Sequence, residues 1–313
     1  MVSQTFFNNP IKLKRCTGLT PDQFTLLVKR VSPLWDKAER KRLSRPDRKR
    51  LIGAGHPYRL QTTEEKVFCL LLWYKLYPAL WFLGMMVSLD ASNVYRLIQR
   101  LRPLLAMAAD PSLGNYLKKV KRTILSGRKK ISSWEDLQRE FPEVAEIFID
   151  ATEQQKQRPK KRVQKKYYSG KKKRHTLKTQ LVVNGRGKIL HISKTYPGSI
   201  HDYAVFKKER TAEAIPKQSR SYGDKGFIGV NKDYPGLDFR LPIKRNRFKK
   251  TLTRSEKIFN TKLAKKRVVV EHVISKLKKY TFLAQVFRGK IASYNQDFKN
   301  IATLVNFRLA SAT

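Results

Sequence analysis

The stretch EIFIDAT, residues 146–152, indicates the fold of the larger part of the chain. Its apolar run is typical of a buried strand, and Asp150 follows that run directly. A carboxylate breaks a strand core unless it lies at the mouth of the sheet, where ligands and metals bind. The elements expected further along are strands at 175–184, 188–198, 221–227 and 239–245, and a helix at 199–209 that Ser199 caps. This order of strands and helices predicts a mixed α/β domain.

Two helices are expected after the last strand. Thr253 and Glu256 form a capping box that begins the first, and the second covers 293–310. At about 100° per residue, the first helix has one apolar face. That face comprises Phe259, Leu263, Val270, Val273, Ile274 and Leu277. One edge of the face carries Asn260, Arg267, Glu271 and Lys278. The helix is therefore expected to pack on the sheet with Glu271 aimed along the sheet edge.

The N-terminal part is predicted to be helical. One or two helices are expected at 20–43. Thr20 would be the N-cap, Pro21 the first helical residue, and Gln23 the partner of Thr20 in a capping box. Residues 44–61 are basic and contain Pro and Gly, which is typical of a linker that lies along a phosphate backbone.

Residues 62–105 are expected to form three helices. The predicted starts are Thr62 or Thr63 for the first, the residues after Pro78 for the second, and Ser88 or Asp90 as the cap of the third. A short helix, a tight turn and a helix with a basic outer face form the helix-turn-helix pattern, although any small three-helix bundle looks similar. The residues expected to face DNA are Ser92, Asn93, Arg96 and Arg100. A basic connector at 106–141 follows, with one helix near 133–139.

The apolar stretch 67–89 is long enough to raise the question of a membrane span. Lys75 and Pro78 lie near its middle, and helix start and stop signals flank it. These features favour a pair of buried helices over a membrane span.

The formal net charge of +44 is the dominant feature of the composition. Because self-repulsion opposes folding, this charge indicates a polyanionic partner, first nucleic acid and second an anionic membrane surface. No lipidation motif supports the membrane surface.

The cysteine and histidine content excludes a zinc cluster and a disulfide framework. The chain has two cysteines, and its five histidines lack zinc-finger spacing, which fits a reducing compartment. The first residues lack the apolar core of a signal peptide, so we expect a cytoplasmic protein, associated with the nucleoid in a bacterium.

Carboxylates are scarce in this basic chain, and none occurs from Gln154 to His201. Asp150 and Asp224 are expected at two strand ends, and Asp202 in the first turn of a helix. Each has a structural alternative. Asp150 could be a strand-end turn residue, Asp224 an ordinary Asx turn, and Asp202 a response to the helix dipole.

Glu271 is the remaining candidate, and its structural alternative is an ion pair with Arg267 one turn earlier. Three carboxylates from two strand ends and one helix can hold two Mg²⁺ ions, since hard cations need oxygen ligands. One ion would lower the pKa of an attacking water or 3′-hydroxyl, and the other would stabilise the leaving oxygen. The surrounding lysines and arginines would bind phosphates.

The run KKRVQKKYYSGKKKR, residues 160–174, interleaves tyrosines with basic residues. Its cations Lys171, Lys172, Lys173 and Arg174 are expected to follow a phosphate backbone. Tyr167 or Tyr168 would stack on a flipped base, or both tyrosines would simply pack in a strand.

With these residues in place, the chain resembles the DDE transposases of bacterial insertion sequences, in the group related to the eukaryotic Harbinger elements. The resemblance extends from about Thr62 to Leu309. It rests on IDAT at Asp150, GSIHD at Asp202, GDKGF at Asp224, and an R-x₃-E-x₆-K pattern at Arg267, Glu271 and Lys278. Related insertion-sequence transposases often carry a tyrosine three residues before the arginine, where this chain has Ala264.

The resemblance implies an RNase H-like catalytic fold, dependence on Mg²⁺ or Mn²⁺, terminal inverted-repeat DNA as substrate, and action as a homodimer or larger oligomer. The expected domains are an N-terminal helical region and basic linker at 1–61, a helix-turn-helix domain with its connector at 62–141, and an RNase H-like domain at 142–313. Asp150, Asp224 and Glu271 would be the catalytic metal ligands. The accessory residues would be His201, Asp202, Arg267 and Lys278.

The expected function is that of a cut-and-paste DNA transposase, which cleaves the element ends and joins the freed 3′-hydroxyls to target DNA. Two alternatives stay open. One is an RNase H-like nuclease that cuts without joining, and the other is a domesticated protein that only binds DNA. An intact carboxylate triad disfavours the second alternative, because a pure binder gains nothing from negative charges that face phosphates.

Overall fold

The structure, a computed structural model, describes residues 7–44, 57–245 and 250–311, together with residues 49, 51, 52 and 54. Its helices are α1 (Pro10–Thr17), α2 (Pro21–Leu43), α3 (Thr63–Leu76), α4 (Leu80–Val87), α5 (Ala91–Ala109), α6 (Tyr116–Leu125), α7 (Trp134–Glu140), α8 (Pro142–Ala145), α9 (Gln164–Tyr167), α10 (Asp202–Lys208), α11 (Thr211–Ala214), α12 (Val230–Asp233), α13 (Arg254–Lys278), α14 (Thr281–Ala284) and α15 (Ile291–Ala310). Its strands are β1 (Glu146–Gln155), β2 (Tyr168–Ser169), β3 (Arg174–Asn184), β4 (Ile189–Ile192), β5 (Tyr196–Pro197), β6 (Arg220–Tyr222) and β7 (Asp238–Arg240). Much of the linker predicted at 44–61 lies outside the described residues.

Packing divides the chain into two compact units. Unit 1 takes its described residues from the ranges Met1–Pro111, Leu277–Gln285 and Lys290–Thr313, and unit 2 from Ser112–Lys276 and Val286–Gly289. The functional domains expected from the sequence stay a prediction, because these units reflect packing alone.

Unit 1 is built from helices. α1 packs on α3, while α2, α4 and α15 all pack on α5. Local capping determines where the helices begin, as expected. The Thr20 side chain and the Gln23 side chain cap each other's backbone N–H at the start of α2, and Thr62 and Glu65 do the same for α3. Residues 20–43 hold one continuous helix, α2, and α1 is an additional helix that was not predicted.

The apolar stretch 67–89 forms two helices, as predicted. α3 is buried on all sides from Val67 to Tyr74, and Tyr77, with a φ of 51°, turns the chain before α4 begins. α4 is buried on one side only, since Trp81 and Met85 are exposed. Across the described part of the chain, no helix combines the length and the apolar character that crossing a membrane requires.

A buried polar cluster joins α15 to α3 and α5 inside unit 1. The carboxylate of Asp297 on α15 is fully buried and accepts hydrogen bonds from the Tyr74 hydroxyl at 2.8 Å and from Arg102 Nε at 2.7 Å. Asn300 donates to the Tyr74 hydroxyl at 2.8 Å and to the backbone carbonyl of Arg102 at 2.9 Å. A buried carboxylate needs such partners, so this cluster specifies how the three helices align.

Unit 2 contains a mixed sheet in the order β2-β3-β1-β6-β7, in which β4 and β5 also pair with β3. β1 runs antiparallel to β3 and parallel to β6, and β6 runs parallel to β7. The hydrophobic core of this unit includes Ile147, Ile149, Val182, Phe206 and Phe227. A mixed α/β unit that follows N-terminal helices confirms the mixed α/β part of the expected fold class.

Several expectations for unit 2 need correction. The strand predicted at 188–198 is two short strands, β4 and β5, because the pairing with β3 is interrupted. The helix predicted at 199–209 starts at Asp202 with His201 at its N-cap, whereas the Ser199 hydroxyl donates to the carbonyl of Lys166. α6 was not predicted within the connector.

α13 begins as predicted, since Thr253 and Glu256 cap each other. Leu263, Val270 and Val273 are buried, but Phe259 is 41% exposed and does not extend the apolar face. The turn between β3 and β4 comes close to this helix. A Cβ at Gly187 would lie 3.4 Å from a methyl group of Val273, and Gly187 has a φ of 81° that favours glycine.

Candidate active site

The parallel pairing of β1 with β6 determines how close Asp150 and Asp224 lie to each other. Phe148 lies opposite Tyr222, the last residue of β6, and Asp150 lies two residues further along β1. The strand-end position expected for Asp150 is wrong, because β1 stays paired with β3 as far as Gln155 and Asp150 lies in its middle. At Gly223 the chain packs closely on β7, because a Cβ there would come within 2.7 Å of the Phe239 ring. Asp224 therefore lies where β6 has ended, and it accepts a hydrogen bond from the backbone nitrogen of Gly226 at 2.8 Å. The Asx-type turn and the sheet-edge position expected for Asp224 are both present.

Asp202 lies beside Asp224. A Cβ at Gly226 would lie 2.8 Å from an oxygen of Asp224 and 3.3 Å from an oxygen of Asp202, so the two carboxylates face the same point. Asp202 occupies the first turn of α10, as predicted, and its Oδ1 lies 2.7 Å from Nζ of Lys178. His201 is exposed at the N-cap and its side chain makes no capping hydrogen bond.

Asp150 has an unusual electrostatic environment. Burial raises the pKa of Asp150 to about 6. The negative charges of Asp224 and Asp202 raise this pKa as well, whereas the backbone N–H of Ala151, at 2.7 Å, and the guanidinium of Arg267, at 3.5 Å, lower it. Asp150 therefore lies near two further carboxylates and only one arginine, so an additional positive charge would be stabilised there.

α13 brings Arg267 to this carboxylate, and not Glu271. Arg267 is 14% exposed at its side chain and pairs with Asp150. Glu271, one turn later, is exposed and makes no hydrogen bond or ion pair with any residue that the structure describes. Lys278 is exposed at the end of α13 and Ala264 is exposed earlier on it. Among the described residues, no three His, Cys, Asp or Glu side chains are grouped so that they could hold a metal ion.

Two buried charges beside the site were not predicted from the sequence. Lys178 on β3 and Glu153 on β1 are cross-strand partners, with Nζ 3.5 Å from the carboxylate, and both side chains are buried. Lys178 also donates to the carbonyl of Ile200 at 2.7 Å, and Glu153 accepts from the hydroxyl of Thr176 at 2.7 Å. One signal was present, since Glu153 is the last acidic residue before the long basic stretch, but only the strand register shows its partner.

The residues expected to face DNA on α5 are mostly accessible. Ser92, Asn93 and Arg96 are exposed. Arg100 is half-buried, with Nη1 3.3 Å from the carboxylate of Glu39. Arg100 is therefore partly neutralised within unit 1.

Residues 171–173 form a turn between β2 and β3, Arg174 is the first residue of β3, and all four side chains are exposed. Arg174 donates to the side-chain oxygen of Gln155 at 3.0 Å. Tyr168 is 43% exposed and its ring lies edge-on to His175, while Nζ of Lys156 lies 4.2 Å from the ring centre of Tyr167. Tyr168 thus remains accessible and Tyr167 is covered by a cation.

Comparison with known proteins agrees with this geometry. The family described as DDE superfamily endonuclease matches residues 149–306, just over half of the chain. A protein named as a probable transposase for insertion sequence element IS702, from Microchaete diplosiphon, is 29% identical over 300 residues, which cover 96% of this chain and 95% of that protein. No solved structure matches the chain. This chain therefore belongs to the DDE superfamily endonucleases, and its likeness to an insertion-sequence transposase extends over nearly its whole length.

Proposed function

We propose that this chain is a DNA transposase. It binds the terminal inverted repeats of its element, cleaves the element ends by metal-dependent hydrolysis of phosphodiester bonds, and joins the 3′-hydroxyl ends to target DNA. The observation that carries this proposal is that Asp150, in the middle of β1, and Asp224, just after the end of β6, lie on two neighbouring parallel strands, with Arg267 against Asp150, in an endonuclease family. We further propose that unit 2 has the RNase H-like fold and that α3 to α5 form a helix-turn-helix.

The carboxylates fit a divalent metal in their chemistry. Burial and the nearby Asp202 and Asp224 raise the pKa of Asp150, so a cation bound there would offset a cost that Arg267 offsets only in part. Carboxylate oxygens are the ligands that Mg²⁺ and Mn²⁺ prefer. We assign Asp150, Asp224 and Glu271 as the ligands of two such ions and Asp202 as an accessory. Once bound, the ions supply Lewis acidity to the attacking water or 3′-hydroxyl and to the leaving oxygen.

The protein's own residues orient the site. The backbone N–H of Gly226 holds the carboxylate of Asp224, and Lys178 holds that of Asp202. Arg267 balances the charge of Asp150 before substrate arrives. On binding, Arg267 and Lys278 contact phosphates of the scissile strand, and His201 lies at the rim.

DNA binding is assigned to two exposed surfaces. Ser92, Asn93, Arg96 and Arg100 of α5 read the inverted repeat. The turn at 171–174 contacts the phosphate backbone without reading sequence. Because a transposase must hold two element ends together, we propose a homodimer or larger oligomer on DNA, associated with the nucleoid.

The test is cleavage of a DNA duplex that carries the element's ends, in buffer with Mg²⁺. Those ends are found by searching the DNA beside the gene for inverted repeats. Cleavage is expected with the wild-type protein and not with Glu271→Gln. Equal rates for the two would remove Glu271 from the site. Joining of pre-cleaved ends to a plasmid then separates a transposase from a nuclease that only cuts.

A further inference from the structure

A cavity of about 500 Å³ lies within unit 1, beside the N-terminal half of α5. Its walls come from Trp35 on α2, from residues 57–61, and from Leu89, Asn93, Leu97 and Arg100 on or before α5. We propose that this cavity receives one nucleobase, turned out of the DNA that passes along α5. The proposal rests on the proposed DNA binding and adds a site to it.

The floor of the cavity is apolar. Trp35, Leu60 and Leu97 line it and are almost fully buried, and Leu89 adds a further aliphatic surface. Such a floor offers water few hydrogen-bond partners, so it is better covered by a flat, weakly polar group. A nucleobase has two faces of that kind.

One wall presents an aromatic ring that is already held in place. Tyr58 lines the cavity and is 55% exposed, and its hydroxyl accepts a hydrogen bond from Nη2 of Arg42 at 2.9 Å. Because the hydroxyl end is fixed, little side-chain entropy is lost when a base stacks on the ring. Bases stack on aromatic side chains whatever their sequence.

The rim supplies hydrogen-bond donors and positive charge. Arg59 lines the cavity, is exposed, and makes no hydrogen bond or ion pair with any described residue. Asn93 Oδ1 accepts from Arg96 at 3.1 Å, and its amide nitrogen donates to no described residue. Lys66 and Arg100 are already engaged, since Lys66 is buried and donates to the carbonyls of Gln61 and Thr62, and Arg100 pairs with Glu39. Arg59 and the Asn93 amide therefore remain to match the carbonyl and ring-nitrogen acceptors of a base and the phosphate attached to it.

Charge and position favour DNA over another occupant. An acidic peptide would satisfy the cations but would leave the apolar floor and the Tyr58 ring uncovered. Asn93 and Arg100 line the cavity and belong to the helix surface that is proposed to read DNA. A strand held there therefore brings its bases within reach of the cavity, and extrusion of a base is least costly where the duplex is already unpaired.

The test is photo-crosslinking to a single-stranded oligothymidylate that carries one 5-iodouracil, with the adduct mapped by mass spectrometry. We expect the adduct on peptides that contain Tyr58 or Trp35. Leu89→Trp, which fills the cavity, should lower the yield of this adduct at least tenfold. Met107→Trp adds the same ring at an exposed position of α5 that does not line the cavity, and it should leave the yield unchanged.

Tyr58→Ala provides a second variant, because it removes an exposed ring and does not disturb the core. It should lower the yield as well, even if Leu89→Trp fails to fold. An adduct on other peptides only, or equal yields for Tyr58→Ala, Met107→Trp and wild type, would overturn the proposal. The oligonucleotide carries no element end, so this outcome is independent of the cleavage assay. If the protein cleaves element ends but forms no adduct, only the cavity proposal is refuted. If it forms the adduct but does not cleave, only the transposase proposal is refuted.

Discussion

Arg267 and Asp150 form an ion pair, with Nη2 of the arginine 3.5 Å from Oδ2 of the aspartate. The pair links the long helix α13 to the central strand β1 at the point where the strand carries its carboxylate. Glu271 lies one turn beyond Arg267 on the same helix and has no partner among the described residues. The arginine is thus the contact through which α13 is held at the candidate site.

Replacing Arg267 by glutamine should slow cleavage by about 10–100-fold, since Asp150 loses the cation that orients it. Single-turnover cleavage of the element-end duplex measures this effect. Lys265→Gln removes the same charge from an exposed position two residues away and serves as the control. Equal losses in both variants would mean that only the overall positive charge matters.

Asp224→Asn should reduce cleavage by more than about a thousandfold if Asp224 is the metal ligand that we propose, because such a ligand contributes several kcal/mol to transition-state stabilisation. DNA affinity should stay the same or increase, as one negative charge near the phosphates is lost. Asp233→Asn is the matched control, since Asp233 is paired with Lys207 at the surface. A variant of Asp224 that cleaves like Asp233→Asn would exclude Asp224 from the reaction.

Lys178→Met should destabilise the protein by about 3–5 kcal/mol, because Asp202 and Glu153 would be left without their shared cation. Thermal unfolding followed by circular dichroism measures the change. The comparison is Lys207→Met, which breaks an exposed pair with Asp233 and should have little effect. Similar melting of both variants would show that the Lys178 cluster contributes nothing beyond a surface pair.

Neutralising Lys171, Lys172 and Lys173 together should lower the slope of log affinity against log salt by about 2–3, as each phosphate contact contributes roughly 0.9. Fluorescence anisotropy of labelled duplex DNA over a range of salt concentrations gives the slope. The control replaces Lys12, Lys14 and Arg15, which are exposed at α1 and lie outside the proposed DNA surfaces. An unchanged slope in the first variant refutes contact at that turn.

Asp297 should make stability depend on pH. Burial raises the pKa of this carboxyl to about 6, although Arg102 and the Tyr74 hydroxyl lower it. The folded state therefore binds the proton more tightly than the unfolded state, whose pKa is near the ordinary value of 3.8. The contribution of this group is full below about pH 4 and is lost as pH rises through about 6, on the order of 3 kcal/mol.

The measurement is the difference in unfolding free energy between wild type and Asp297→Asn at several pH values. As pH rises from 4 to 6, the unfolding free energy of the wild type should fall relative to that of Asp297→Asn, and above pH 6 the difference should level off. A difference that moves the other way would mean that Arg102 holds the carboxyl ionised throughout. Asp238→Asn, at an exposed pair with Arg240, should show no such shift.

The parts of the fold that follow from short-range contacts were predictable. Thr62 with Glu65 and Thr253 with Glu256 begin their helices within one turn, so sequence neighbours are enough. α6 was missed because four of its ten residues are basic and it buries only Leu117 and Val120. That burial depends on its packing against β4. The interruption between β4 and β5 likewise depends on the register of β3.

The same distinction applies to the site. Asp224 could be placed from a strand end, but Asp150 lies in the middle of β1, because pairing with β3 extends that strand to Gln155. An ion pair between Arg267 and Glu271, its neighbour on the helix, was the structural alternative for Glu271, but Arg267 pairs with Asp150 on the central strand β1. Lys178 could not be identified, because its partners Glu153 and Asp202 meet it only through tertiary structure.

The buried cluster around Asp297 has a consequence for biosynthesis. Arg102 and its partner Asp297 are 195 residues apart, and the whole of unit 2 is encoded between α5 and α15. While the ribosome synthesises unit 2, α15 has not yet been made, so Arg102 lacks its partner and the apolar surface of α5 that α15 covers is exposed. Unit 2 can therefore fold first, and a chain that terminates early never completes unit 1. Only translation products that include α15 would contain a finished helical unit.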